Sequence, residues 1–347
     1  MKFFILTIFF QVSLACWVYD NCNSCSEKSG LPGLLNNLCY WDVGSNTCKL
    51  IIQAPTNDES LVIQPLSCPA PLPAFQYTDD FGRNTAFAFA MASNAEGVNG
   101  VKKCPAAKLP NVQVINQYTV NCDIFNSTCS ATLFLHPDAG AVVLAFRGSK
   151  ASAQFLNEAF DLIFSLSEPG DLYSGNVFAY FANAIQLLWD AGLSSDLQTY
   201  LQNNPTFQLW TFGHSLGGSL ATLAANAAVK NGFVTKDKVV VTTMGEPRTG
   251  DYDFASDVTS NVPQAYRIVL ENDLVPKMPL KPFLAQTNAY HNNFEVWYDN
   301  NMTGPNFVIN DIADSWSGSN AELIGNLNIH NSYFNVDMLN YTTIYCH

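Results

Sequence analysis

The chain has 347 residues, of which 48% are hydrophobic and 13% charged. This composition is typical of a globular protein with a sizeable core and excludes a disordered chain. The formal net charge of −13 argues against nucleic acid as a partner and gives no electrostatic attraction to anionic lipid. Any contact with a lipid surface would therefore have to be apolar and local.

The N-terminal residues 1–15 have the pattern of a secretory signal peptide. Lys2 precedes a short apolar run over residues 3–10, and the small residues Ser13 and Ala15 offer a cleavage site. A run of this length is too short to span a bilayer. We therefore expect a secreted, extracellular protein whose mature chain begins near Cys16.

The mature chain keeps all ten cysteines, an even number that predicts disulfides in a secreted protein. None of the five histidines pairs with a cysteine at zinc-finger spacing, which argues against a zinc site. Three sequons, at Asn126, Asn301 and Asn340, fit N-glycosylation in the same compartment.

Residues 16–70 are predicted to form a small cysteine-rich module. This segment carries six cysteines among Gly, Asn, Ser and Pro residues: Cys16, Cys22, Cys25, Cys39, Cys48 and Cys68. So small a segment cannot bury a sufficient apolar core and would depend on disulfides. Four prolines between Pro65 and Pro73 then predict a stiff linker, which places the start of a larger domain, residues 71–347, at about this point.

In the larger domain, strand and helix patterns alternate. The patterns predict, in chain order, a helix over 85–94, strands over 112–120 and 141–146, a helix over 176–191, a strand over 206–212, a helix over 216–230, and strands over 238–244 and 265–270. Cys122 and Cys129 bracket a short turn, which predicts a stapled hairpin. The alternation favours an α/β fold with a mostly parallel sheet.

The hexapeptide Gly213-His214-Ser215-Leu216-Gly217-Gly218 lies between a predicted strand and a predicted helix. In this context Gly-x-Ser-x-Gly predicts a nucleophile elbow, a sharp turn that exposes one serine hydroxyl at its apex. The flanking glycines fit because a β-carbon would collide where strand and helix approach. The sequence therefore predicts acyl chemistry at Ser215.

A catalytic serine needs a base, and the base needs an orienting carboxylate. Asp273 follows the predicted strand 265–270 and is our candidate acid, with Glu271 as its competitor. Asp251, Asp253 and Asp257 are further candidates in a stretch that has the pattern of a solvated loop.

Three histidines follow the candidate acid. His330 lies on a polar loop before a predicted helix and is our candidate base, whereas His291 precedes a predicted strand and His347 ends the sequence. We interpret His214 as a buried structural partner, because its side chain points away from that of its neighbour on the turn.

Two groups are expected to bind the oxyanion: the backbone N–H of Leu216, and Ser149 on the turn after strand 141–146. The next segment is amphipathic, with Phe155, Leu156 and Phe160 on one face. It is either a core-packing helix or a lid over the site.

These motifs together resemble the fungal-type, class-three secreted triacylglycerol lipases of the α/β-hydrolase fold. Five segments match in family order: 146–149, 213–218, 245–250, 272–276 and 330–334. The resemblance implies Ser215, Asp273 and His330 as nucleophile, acid and base. It also implies a Cys104–Cys346 disulfide, and Cys122–Cys129 as a second pair. The cysteine-rich module looks more like animal, particularly nematode, secreted relatives than like fungal ones.

The resulting hypothesis is a secreted, monomeric carboxylic ester hydrolase that cleaves acylglycerols and contacts a lipid surface only transiently. Such hydrolysis requires no metal or organic cofactor. A phospholipid or a small soluble ester is an alternative substrate for the same fold. A catalytically silent lipid-binding protein is an alternative of a different class.

Overall fold

A computed structural model describes residues 16–27, 39–50, 61–62, 65–122, 128–148, 163–165, 167–280, 289–315, 318–322 and 324–347. The predicted signal peptide, residues 1–15, lies outside them. No helix within these ranges has the length and apolar character needed to cross a membrane.

The central feature is an eight-stranded sheet. Its strands are β4 (Gln113–Asn121), β5 (Thr128–His136), β6 (Ala141–Phe146), β9 (Gln208–His214), β10 (Val239–Met244), β12 (Ala265–Leu270), β14 (Glu295–Tyr298) and β15 (Val308–Asn310). They lie in the order β15-β14-β12-β10-β9-β6-β5-β4. The five strands from β6 to β14 are parallel, and the pairs at the two edges are antiparallel. The sheet is therefore mostly parallel, as the sequence predicts.

The described residues form seven further short strands. β1 (Cys39–Asp42), β2 (Thr47–Leu50) and β3 (Leu61–Val62) form a three-stranded sheet near the N-terminus. A four-stranded sheet contains β7 (Ser167–Glu168), β8 (Val177–Phe178), β11 (Gly250–Asp251) and β13 (Ala289–Tyr290).

The α-helices cover Cys22–Glu27, Phe87–Ala92, Gly97–Val101, Ala179–Leu188, Ser194–Asn203, Leu216–Lys230, Tyr252–Asn261 and Tyr341–Tyr345. Two π-helical turns cover Phe81–Ala86 and Trp189–Leu193. Short 3-10 helices cover Pro65–Ser67, Pro105–Lys108, Pro137–Ala139, Lys236–Lys238, Val275–Lys277, Ser319–Ala321, Leu327–Asn331 and Tyr333–Asn335.

The central sheet is buried on both faces, which explains why its strands read as continuous apolar runs. In β6, Val142 and Leu144 face a cluster that includes the helix Leu216–Lys230. Val143 and Ala145 face the opposite cluster, which is rich in aromatic residues and includes the helix Phe87–Ala92. The loops that carry the candidate site residues follow strands of this sheet, which is covered on both faces.

One sequence prediction needs correction. The stretch 176–191 was expected to be one helix, but residues 177–178 form β8 because Val177 pairs with Gly250 of β11. At the start of the predicted linker, Leu66 is buried against Ala255 and Ala313. The predicted linker and domain boundary stay predictions.

The N-terminal segment is held by three disulfides, Cys16–Cys39, Cys22–Cys68 and Cys25–Cys48. Polar contacts join it to the rest of the chain. The backbone N–H of Leu66 donates to the Tyr252 hydroxyl at 3.0 Å, and the Ser67 and Tyr290 hydroxyls lie 3.2 Å apart.

Candidate active site

Ser215 lies between the end of β9 and the start of the helix Leu216–Lys230. Its φ of 56° and ψ of −130° are rare for a residue with a side chain, so the turn holds it in a strained conformation. A β-carbon on Gly213 would lie 2.1 Å from the Gly217 carbonyl oxygen, which explains the glycine two residues before the serine. The residue pattern thus builds the sharp elbow that it predicts.

Asp273 lies on the turn that follows β12, where its N–H donates to the Leu270 carbonyl at 2.9 Å. Its side chain is fully buried. One carboxylate oxygen, Oδ1, accepts the Val275 N–H at 3.0 Å, and the other, Oδ2, lies 2.8 Å from Nδ1 of His330. Asp273 therefore lies where a carboxylate can fix the tautomer of the imidazole. Glu271, the competing carboxylate, is partly exposed.

His330 is fully buried and lies in the 3-10 helix Leu327–Asn331, where the sequence had indicated a polar loop. Its Nε2 has no hydrogen-bond partner within the described residues, and neither has the buried Oγ of Ser215. Catalytic hydrogen bonds in unliganded enzymes are often long or absent and form when substrate binds. Both reacting atoms of the candidate pair are therefore uncommitted.

Tyr333 is a site residue that the sequence did not reveal. Its hydroxyl donates to Oδ2 of Asp273 at 2.7 Å and accepts from the Leu270 N–H at 3.3 Å. Burial, followed by the neighbouring Asp273 carboxylate, raises the pKa of Tyr333 well above its ordinary value, so the hydroxyl stays protonated. Tyr333 lies in segment 330–334, one of the five that carry the family resemblance, but that resemblance implied no role for it.

His214 supports the main chain that carries His330. Its Nε2 lies 2.8 Å from the His330 carbonyl oxygen, which makes this nitrogen the donor. The two imidazole rings are 4.5 Å apart between centroids. Burial, followed by the proximity of His330, lowers the pKa of His214 well below its ordinary value, so it remains neutral beside the candidate base. The expected structural role of His214 thus takes the form of a hydrogen bond to the His330 backbone.

The exit of β6 lies against the elbow. A β-carbon on Gly148 would lie 2.6 Å from the His214 carbonyl oxygen, so only glycine fits here. Leu216 is the first residue of its helix, where backbone N–H groups have no intrahelical partner and are available to an anion. Ser149, the other expected oxyanion donor, lies outside the described residues, directly after Gly148.

The segment after β10 forms hydrogen bonds with the chain that follows Asp273. Arg248 is buried and forms an ion pair with Asp314 at 2.6 Å. Its N–H donates to the Met278 carbonyl at 2.9 Å, and its guanidinium donates to the Pro279 carbonyl at 3.0 Å. The motif that begins at Gly245 therefore fixes the chain beyond Asp273.

The remaining candidates lie elsewhere or serve other contacts. His291 is buried, with Nε2 2.7 Å from the Pro276 carbonyl, and His347 is exposed. Of the three carboxylates expected to be solvated, Asp253 is exposed, whereas Asp251 and Asp257 are only partly exposed. Asp251 caps the helix Tyr252–Asn261, and Asp257 accepts from Asn226 at 2.9 Å, because both carboxylates satisfy buried or helix-end donors.

Of the expected disulfides, glycosylation sites and lid residues, only some lie within the described residues. Disulfides join Cys104 to Cys346 and Cys122 to Cys129. Asn301 and Asn340 are exposed, whereas the third sequon asparagine, Asn126, lies outside the described residues. The predicted lid residues Phe155, Leu156 and Phe160 lie outside them too. The one cluster in the described ranges that has metal-ligand geometry consists of cysteines already bound in disulfides.

Comparison with known proteins finds similarity to lipases. Residues 143–283 match the family model for lipase (class 3), a region that includes Ser215 and Asp273 but ends before His330. A lipase from Caenorhabditis elegans is 30% identical over 224 residues, which cover 57% of this chain and 60% of that protein. Secreted mono- and diacylglycerol lipase A from Penicillium cyclopium is 29% identical over 206 residues, or 58% of this chain and 62% of that one. The chain thus spans about three fifths of the length of these two relatives.

Solved structures share the architecture. A lipase from Rhizopus microsporus var. chinensis superposes with a TM-score of 0.64 at 21% identity, covering 79% of this chain and 95% of that one. The triacylglyceride lipase of Rhizomucor miehei gives a TM-score of 0.59 at 22% identity, with 74% and 96% covered. These similarities confirm the expected α/β-hydrolase fold. The family match over residues 143–283 shows that this part of the chain is similar to class 3 lipases.

Proposed function

We propose that the protein is a secreted serine hydrolase that cleaves carboxylic esters of acylglycerols. The observation that carries the proposal is the buried pair of Asp273 Oδ2 and His330 Nδ1, 2.8 Å apart, beside the strained elbow at Ser215. A buried carboxylate that orients an imidazole next to a serine at an elbow is the arrangement that acyl transfer requires.

In the proposed mechanism, Nε2 of His330 takes the proton of the Ser215 hydroxyl as Oγ bonds to the ester carbonyl carbon. The carbonyl oxygen becomes an oxyanion, to which the N–H groups of Leu216 and Ser149 would donate. The carbon–alkoxy bond then breaks, and His330 returns its proton to the alcohol oxygen. Water attacks the acyl-enzyme by the same route and regenerates Ser215. Asp273 stabilises the imidazolium in both halves.

The extracellular location is part of the same proposal. It is supported by the signal-peptide pattern of residues 1–15, by the five disulfides in the described chain, and by relatives named as secreted lipases. We expect a monomer.

The decisive test is Ser215→Ala. We expect this variant to fold normally and to lose hydrolysis of emulsified acylglycerol, because it has no nucleophile. A fluorescent organophosphonate should label the native protein at Ser215 and leave the variant unlabelled. Undiminished hydrolysis by the variant would exclude the mechanism, and a native protein that neither labels nor hydrolyses would favour a lipid-binding role. Parallel rates on phospholipid vesicles and a short soluble ester test the alternative substrates.

A further inference from the structure

A polar groove lies beside His330, on the chain that follows it. Its volume is about 490 Å³, and its lining includes Asn328, Asn331, Ser332, Asn335, Asp337 and Leu339. A smaller cavity of about 210 Å³ shares Asn331 and Leu339 and extends to His214 and Gly148. The two cavities therefore adjoin at Asn331 and Leu339, and the smaller one is lined by His214 of the elbow and Gly148 at the exit of β6.

Two hydrogen bonds hold the backbone that lines the groove. The Met338 N–H donates to the Asn331 carbonyl at 3.1 Å, which closes the chain from 331 to 338 into a loop. One residue earlier, the His330 carbonyl is held by His214 at 2.8 Å. Because both carbonyls are held, the side chain of Asn331 projects from a fixed backbone beside the candidate base.

The polar side chains in the groove are available to a ligand. Within the described residues, no hydrogen bond engages the side-chain amides of Asn328 and Asn331 or the hydroxyl of Ser332. Asn335 uses only its amide nitrogen, which donates to the Asn301 carbonyl at 2.9 Å. Amides and hydroxyls both donate and accept, so they match a ligand that carries several hydroxyl groups.

The charge of the groove disfavours an anionic ligand. Asp337 is the charged residue in its described lining, and no cation accompanies it there. Hydrogen bonds from Asn340 lower the pKa of Asp337, so this carboxylate is ionised at neutral pH. A phosphate would meet a negative charge without the arginine, lysine or helix N-terminus that phosphate sites use.

We propose that this groove binds the alcohol part of the ester, and that it selects a neutral polyhydroxylated alcohol. The proposal rests on the proposed function, because His330 returns its proton to the departing alcohol and Asn331 is the next residue. Amides of Asn328 and Asn331 bind the free hydroxyls, while Leu339, about half exposed, contacts the carbon skeleton. The alcohol can be the glycerol of a partial acylglycerol or the sugar of a glycolipid.

The first experiment measures binding without hydrolysis, in the full mature chain carrying Ser215→Ala. The probes are 1-O-dodecylglycerol, dodecyl galactoside, dodecylphosphocholine and dodecyl methyl ether, which share one alkyl chain. We expect the glycerol or galactoside probe to bind at least tenfold tighter than the phosphocholine and methyl ether probes. Adding Asn331→Leu should remove that preference, since a lost hydrogen bond changes affinity by about tenfold. The two polyol probes distinguish the glycerol source from the sugar source.

The second experiment measures kcat/KM in the chain with Ser215 intact, on monoacylglycerol, a galactolipid, phosphatidylcholine and a fatty acid methyl ester. Asn331→Leu and Asn328→Leu should each lower the value for polyol esters about tenfold and change the methyl ester less than twofold. Asn203→Leu, an exposed asparagine outside the groove, is the matched control and should change neither.

Equal losses on methyl and polyol esters would overturn the proposal, because Asn331 would then act on His330 itself. Preferred binding of phosphocholine, or unchanged binding of polyol probes in both groove variants, would also overturn it. If the native protein hydrolyses no ester, the proposed function fails, whereas the binding comparison in the Ser215→Ala chain still decides whether the groove recognises hydroxyl groups.

Discussion

The α/β region and the N-terminal segment of this protein are held together in different ways. In the α/β region, two large clusters of mostly apolar side chains cover the two faces of the central sheet. In the N-terminal segment, five of the eight buried residues of the described cluster are disulfide cysteines. One region is thus stabilised mainly by burial and the other by covalent cross-links, and the candidate active site belongs entirely to the first.

This difference suggests that activity and cross-link stability can be changed separately. Substitutions of active-site residues on the loops that follow the central strands should alter the reaction without unfolding the protein. Substitutions in the cysteine-rich segment should alter local stability without altering the reaction. Four measurements, in decreasing order of expected effect, test that separation.

The largest effect is expected from Asp273→Asn. The amide is nearly the same size, but it cannot stabilise an imidazolium and favours the wrong tautomer, so kcat should fall by about 10³–10⁴-fold. Tributyrin hydrolysis and a thermal melt are the measurements. The melting temperature should change by only a few degrees. Asn272→Asp, at the neighbouring partly exposed position, serves as a control for a charge change on the same loop.

Removal of the Cys22–Cys68 disulfide, with both residues changed to alanine, should weaken the N-terminal segment by about 2–4 kcal/mol. Limited proteolysis and hydrogen exchange of residues 16–27 and 39–50 would report this. Activity on a soluble ester should stay within about twofold. A large loss of kcat at a temperature where the α/β region is folded would show that the two regions are coupled.

Acid should destabilise the α/β region, because all five histidines lie there. Burial lowers the pKa of His214 and His291 well below the ordinary value. These two histidines therefore bind protons in the unfolded chain at pH values where they stay neutral in the folded chain. The stability that these neutral histidines contribute is fully present above about pH 6.5 and declines as the pH falls below that value. Burial raises the pKa of Glu246, which opposes this trend, so a comparison with a variant is needed.

The comparison is His291→Gln, whose amide can still donate to the Pro276 carbonyl. Between pH 7.5 and 5.5 this variant should lose about 1 kcal/mol less unfolding free energy than the native chain. Denaturant unfolding under non-reducing conditions measures it. An identical loss in both proteins would show that His291 is protonated in the folded state.

The smallest effect is expected where the two regions meet. Tyr252→Phe removes the hydroxyl that accepts the Leu66 N–H, which should cost about 0.5–1.5 kcal/mol. Hydrogen exchange at Leu66 should become faster, with kcat unchanged. Tyr180→Phe, a tyrosine remote from this contact, should leave exchange at Leu66 as it is.

The sequence predicted the elements of the α/β region well, because apolar periodicity and β-branched runs report local structure directly. The strands 141–146 and 265–270 and the helix 216–230 have the predicted bounds. The pairing of the six N-terminal cysteines could not be predicted, since six cysteines allow about 15 connectivities. Periodicity also missed the strand at Val177, because its partner Gly250 lies far along the chain.

At the candidate site, residue types and chain order pointed to Ser215, Asp273 and His330, and these remain predictions. The contacts that support these residues could not be predicted from residue types and chain order. The hydrogen bond from His214 reaches a backbone carbonyl, which carries no sequence signature, and the ion pair of Arg248 with Asp314 spans 66 residues. Such contacts depend on how loops that are distant in sequence meet at the carboxyl ends of the central strands.

The Cys104–Cys346 disulfide has a consequence for how the protein is made. Its cysteines are 242 residues apart, so the ribosome completes nearly the whole α/β region before the bond can form. The loop that carries His330 lies before Cys346 and follows both Ser215 and Asp273 in the chain. On the proposed mechanism, a nascent chain that contains Ser215 and Asp273 but not yet His330 has no base. Such a nascent chain would be inert toward esters.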